Sequence, residues 1–127
     1  MTMGATVNIV DVVQEQLEAY NARDIDRFVA TYSDQVRIFR MPATEPAISG
    51  KAQLTEVYVK RFSSPSLHAE ILARMVLGNK VIDHERVRGI REMPVEAVAV
   101  YEVESNLIQT VWFFYPSEPF PIPGSSQ

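Results

Sequence analysis

The chain has 127 residues, 46% hydrophobic and 22% charged, which suits one soluble domain with a real core. A net charge of −4 leaves no broad basic footprint for nucleic acid. Zero cysteines exclude a disulfide framework and a thiolate metal site, and two histidines are too few for a zinc site without carboxylate help. No metal and no cofactor is therefore expected. The opening MTMGATVNIV lacks the charged start and apolar core of a signal peptide. No run reaches the ~20 apolar residues of a membrane span. These features predict a cytoplasmic protein without membrane contact.

In chain order, Ile9, Val13, Leu17 and Tyr20 recur at helical spacing and predict a helix from about Val7 to Tyr20. Asn21-Ala-Arg-Asp24 breaks that pattern, and Asp24 is placed to cap a second helix from Ile25 to about Tyr32. The period then changes to two over Val36–Met41, with Val36, Ile38 and Arg40 on one side. After the loop MPATEP, closed by Ser49-Gly50, a third helix is predicted over Lys51–Phe62, with Leu54, Val57, Tyr58 and Phe62 as its apolar stripe. Ser63-Ser-Pro-Ser66 ends it. Leu67–Leu77 alternates as a strand, and Gly78-Asn79 signals a hairpin turn. Strands follow at Val81–Arg88, Val95–Val103 and Leu107–Tyr115. The tail PSEPFPIPGSSQ, residues 116–127, is rich in Pro, Ser and Gly and reads as extended or disordered. Residues 1–115 thus read as a single α+β domain in the order α-α-β-α-β-β-β-β.

The stretch VIDHERVRG carries five ionisable side chains inside a strand pattern. Period two puts Val81, Asp83, Glu85 and Val87 on one face and Ile82, His84, Arg86 and Arg88 on the other. The two acids would lie roughly 7 Å apart along the chain. Screened from water, each disfavours the other's ionisation, so one becomes a proton donor or base usable near neutral pH. The structural alternative is a wet face, or cross-strand ion pairs with Arg40 or Arg74. The turn adds a conflict. A two-residue Gly78-Asn79 link faces Arg74 to Asp83, which would put the apolar stripe Ala69–Ile71–Ala73–Met75 on the face of His84. A bulge or a longer turn reverses the relation.

Three segments, VVQEQLEAYNARDIDRFVATYSDQV, TEPAISGK and GNKVIDHERVRG, resemble the nuclear transport factor 2-like superfamily in its SnoaL-like and ketosteroid-isomerase-like branch. The resemblance covers about Val7 to Tyr115. It implies a cone, a curved antiparallel sheet wrapped around three N-terminal helices, with a ligand in the open end. The catalytic residues of ketosteroid isomerases do not carry over. Their tyrosine donor falls on Gln16, their aspartate base on Arg40 and their second acid on about Ala97. Limonene-epoxide-hydrolase-like members align through their Thr-Glu-Arg-Val-Asp motif, but their pocket arginine lands on Glu85 and their aspartate on Val87. A slide of one residue leaves Arg88 where that aspartate belongs.

The resemblance also implies an orientation in which Asp83 and Glu85 look into the cone. Arg40, Tyr20, Tyr32, Tyr101 and Trp112 look in with them, beside small Ala97 and Ala99. The expected catalytic set is Asp83 or Glu85 as general acid/base and Arg40 for developing negative charge. Tyr20, Tyr32, Tyr58, Tyr101, Trp112 and Gln16 are the expected substrate-binding residues. His84 is a lesser catalytic candidate, because its basic neighbours Arg86 and Arg88 suit a surface or an interface. The expected activity is a cofactor-independent isomerisation, hydrolysis, hydration or ring closure on a small apolar molecule. The alternative is a non-catalytic ligand-binding or dimerisation module. In either case a homodimer packed through the sheet is expected.

Overall fold

A computed structural model describes residues 8–116. Apart from Pro116, the tail expected to be extended lies outside the described residues. Helix α1 spans Ile9–Ala22, and the side chain of Asn8 caps it by accepting from the Val10 N–H at 2.8 Å. Its buried face carries Val13, Gln16, Ala19 and Tyr20. The N-A-R-D break then acts as a clamp on the sheet. Asn21 donates from its amide to the Ala69 carbonyl (3.0 Å) and accepts from the Ala69 N–H (2.7 Å), as a strand neighbour would. Arg23, in the left-handed region at φ 55°, donates to the Leu67 carbonyl at 2.9 Å.

Helix α2 spans Ile25–Ala30 and is capped by Asp24, which accepts from the Arg27 N–H at 3.1 Å. It stops short of the expected Tyr32. The Thr31 hydroxyl closes the last turn on the Phe28 carbonyl, and the Thr31 carbonyl accepts from the Ile108 N–H across the sheet. Tyr32 is thereby the first residue of β1, Tyr32–Arg40. A two-residue β2, Ile48–Ser49, precedes α3, Lys51–Arg61. The remaining strands are β3 (His68–Leu77), β4 (Lys80–Arg88), β5 (Val95–Glu104) and β6 (Leu107–Phe114).

The six strands form one sheet in the order β2-β1-β6-β5-β4-β3. β1 runs parallel to β6, and the other pairs are antiparallel. The sheet is thus mixed, with one strand more than the periodicity predicts. Strand direction leaves no mark on a period-two pattern, and two residues are too few to show one. The core lies between the helices and the concave face, centred on Phe28, which is 0% exposed. Rings of Tyr58, Tyr32, Phe62 and Tyr20 surround it at centroid distances of 4.7, 5.0, 5.3 and 6.0 Å. Among the described residues no helix is long and apolar enough to cross a membrane.

Both halves of the register conflict are present in β3. The Gly78-Asn79 turn has two residues, pairing Leu77 with Lys80 and Arg74 with Asp83. Between Ile71 and Ala73 the register then shifts, and Leu72 is the extra residue of a bulge. Beyond it Ile71 faces Glu85 and Ala69 faces Val87, all on the concave side. Arg74 and the Ala69–Ile71 pair therefore share a face although their spacing in sequence is odd. Where β4 ends, Gly89 (φ +94°) passes so near β3 that an added Cβ would lie 2.5 Å from the Leu67 Cα.

Candidate functional site

Cross-strand rows set the concave face. One row runs Arg74–Asp83–Ala99–Phe113–Arg40, and the next runs Ile71–Glu85–Ala97. The alanines in the middle strand carry no bulk above the sheet, so a space remains between it and the helices. That space is a cavity of about 330 Å³. Helix α1 contributes Gln16 and Tyr20 to its wall, and α3 contributes Tyr58 and Arg61. The sheet contributes Tyr32, Arg40, Glu85, Ala97 and Tyr101, and Tyr115 closes the rim beside Arg91. Among the described residues no group of three or more His, Asp or Glu side chains is placed to hold a metal ion.

The two acids of VIDHERVRG have different surroundings. Asp83 is 1% exposed and fully engaged: Arg74 donates to it from Nε at 2.6 Å and from Nη2 at 2.9 Å. Gln14 accepts a further bond from the same guanidinium at 2.9 Å. Asp83 does not line the cavity. Glu85 does, and at 8% exposure it has neither a hydrogen bond nor an ion pair among the described residues. Burial pushes its pKa up to about 7; the nearby Asp83 charge adds to the rise and Arg61 opposes it. Glu85 is therefore a carboxyl group divided between acid and base near neutral pH.

The phenols around it stay protonated. Burial raises the pKa of Tyr32, Tyr58 and Tyr101, and the Glu85 charge raises each of them further. Neutral phenols are hydrogen-bond donors. Arg61 packs its guanidinium over the Tyr58 ring at 5.4 Å. A ligand in the cavity would meet one carboxyl group that exchanges a proton, several phenol donors and arginines at the rim.

Gln16, Tyr20, Tyr32, Tyr58, Tyr101, Arg40 and Glu85 all line this one cavity, with Arg40 well exposed at its edge. Trp112 does not. It pairs with Val100, on the face opposite Tyr101, and stacks on Phe39 at 6.4 Å on the convex side of the sheet. The expectation that it looks into the cone is corrected by the β5–β6 register. His84 is also convex, with Nε2 3.0 Å from Glu96 Oε1. The sequence reading missed Arg61 and Tyr115. Arg61 had a signal, since it follows Tyr58 by three residues and so shares its helix face.

The sequence profile of the SnoaL-like domain family matches residues 13–111. The chain belongs to the SnoaL-like domain family. Solved structures agree on the fold, which is the nuclear transport factor 2-like, cystatin-like α+β cone. An uncharacterised cystatin-fold protein from Novosphingobium aromaticivorans is 24% identical, with 85% of this chain and 98% of that one covered and a TM-score of 0.76. A candidate ketosteroid isomerase from Kribbella flavida is 20% identical over 91% and 83% of the two chains, with a TM-score of 0.73. A candidate polyketide cyclase from Sinorhizobium meliloti is 19% identical over 84% and 99%, with a TM-score of 0.71. At these identities the likeness extends to the fold alone. No curated protein sequence matches the chain.

In this SnoaL-like domain the two acids make opposite predictions for stability. The folded pKa of Glu85, about 7, lies above its ordinary 4.5. The stability linked to its protonation is thus fully present below pH 4.5 and lost as pH rises through 7, a swing of roughly 3 kcal/mol. Glu85→Gln should therefore gain on the wild type by up to roughly 3 kcal/mol between about pH 4.5 and pH 8. Asp83→Asn strands the Arg74 guanidinium, which is partly solvated, and should cost about 2–3 kcal/mol near pH 7. Urea denaturation of both variants across this range is the check. A matching response of the two would contradict the division between them.

Proposed function

We propose that this SnoaL-like domain binds a small, largely apolar molecule in the cone and moves a proton on it. In this reading Glu85 is the general acid/base, and its unpaired carboxyl group in the cavity is the observation that carries the proposal. The phenols stabilise the negative charge that develops when the proton leaves, and Arg40 and Arg61 add positive potential from the rim. Asp83 does not touch the ligand; it holds Arg74, and its charge adds to the rise that burial imposes on the Glu85 pKa. Proton abstraction beside a carbonyl serves isomerisation and ring closure alike, and water activation serves hydrolysis. The candidate isomerase and candidate cyclase among the similar structures agree with this class of chemistry.

A second copy of the chain is the partner we assign to the convex face. An apolar row, Met75–Ile82–Val100–Trp112–Phe39, crosses five strands there. Met75 is 59% exposed and Phe114, beside the row, 44%. Charges of both signs flank it, with Lys80 near Glu102 and Arg86 near Glu70 and Glu96. A patch with an apolar centre and both signs at its edge is self-complementary about a two-fold axis.

Two measurements test these readings. A buried carboxylate base should accelerate the ring opening of 5-nitrobenzisoxazole, in which loss of the C3 proton breaks the N–O bond and releases a cyanophenolate. The rate should rise with pH through about 7, and Glu85→Gln should lower it by at least about 100-fold. Equal rates for wild type and variant would remove Glu85 from the reading. Sedimentation should find a wild-type dimer that Trp112→Glu converts to a folded monomer, because two charges would meet in the apolar centre. A wild-type monomer would overturn the assigned partner.

A further inference from the structure

The charge of the cavity runs against the charge of the chain. The protein carries −4 overall, yet among the described residues Arg40 and Arg61 line the cavity with two carboxylates, Glu85 and Glu96. Glu96 is engaged on the convex side by His84 at 3.0 Å and Arg86 at 3.3 Å. Other arginines spend their charge on carboxylates: Arg27 on Glu15, Arg74 on Asp83, Arg86 on Glu70 and Glu96. Arg40 and Arg61 have no ion-pair partner among the described residues. Both line the same cavity beside Tyr58 and Tyr115, whose phenol pKa values burial raises and the two guanidinia only partly offset. Arg61 is half-buried, and a desolvated guanidinium without a counter-ion is unfavourable. Glu85 compensates only in part, since it is largely protonated below pH 7.

Taking Glu85 as the proton-transfer group, as above, we infer that the ligand is an organic acid: an apolar body carrying one carboxylate, which Arg40 and Arg61 hold at the rim while the body reaches Glu85. A planar guanidinium grips a carboxylate through two parallel N–H bonds and so fixes its orientation as well as its charge. The cavity, about 330 Å³, lies at the small end of the usual ~300–1,000 Å³ for ligand sites, which suits an acid with one or two rings. Its walls stack or pack on such rings through Tyr20, Tyr58, Tyr101 and Phe113.

Calorimetry with naphthalene-2-carboxylate and the isosteric naphthalene-2-carboxamide separates charge from shape. At about pH 6 the carboxylate should bind at least about tenfold more tightly than the amide. Arg40→Gln and Arg61→Gln should each weaken the carboxylate by about five- to tenfold and leave the amide within about twofold, which also shows that the variants are folded. The carboxylate's affinity should fall between about pH 6 and pH 8 as Glu85 ionises, and Glu85→Gln should flatten that fall. Equal affinities in the wild type would overturn the organic-acid inference, and the benzisoxazole rate would still report on Glu85 independently. No binding of either compound at millimolar concentration would overturn the inference as well.

Discussion

A single extra residue in β3, Leu72, decides which side chains enter the cone. On its C-terminal side, the two-residue turn brings Arg74 opposite Asp83. On its N-terminal side, the slip turns Ile71 and Ala69 toward Glu85 and Val87. A regular β3 could satisfy only one of these demands. With Arg74 inside, its apolar stripe would be outside; with the stripe inside, Asp83 would lose its counter-ion to the solvent face. The bulge supplies both, and it bends the edge of the sheet over the helices. Asn21 and Arg23 fasten the same strand at Ala69 and Leu67, so the register is held from the helical side too.

This arrangement gives two carboxylates of one strand different chemistry. Asp83 is the more buried, but both of its carboxylate oxygens are engaged by charge-assisted bonds from Arg74. Glu85, two residues on, faces a cavity with no counter-ion in bonding contact among the described residues and feels the Asp83 charge from its own side. The fixed charge of one acid thus helps tune the other, whose proton is shared with the phenol-lined space. Arg40 and Arg61 at the far rim bring positive charge into the cavity of a negative protein.

Much of the fold was legible because it rests on periodicity and local capping. The helix stripes, the Asp24 cap, the hairpin at Gly78-Asn79 and the alternation of β4 were all apparent in the residues. Glu85, Tyr20, Tyr32, Tyr58 and Tyr101, expected on the inner face partly through the family resemblance, do line the cavity. The rest depended on pairings that no single segment encodes. Thr31 could not be seen to end α2, because its carbonyl partner, Ile108, is 77 residues away in sequence. Trp112 was assigned to the wrong face because only its pairing with Val100 fixes it. Arg61 escaped notice as the polar end of an apolar helix, although its spacing from Tyr58 was sufficient to place it.

Glu85 has no bonding partner among the described residues and should be half-ionised near neutrality. Carbon-13 NMR of the side-chain carboxyl groups, with the Glu85 signal assigned through its loss in Glu85→Gln, measures this without any ligand or substrate. The expected titration midpoint lies near 7. A midpoint near the ordinary 4.5 would mean that Glu85 is solvated or paired, and would contradict the reading of the cavity as a proton-transfer site.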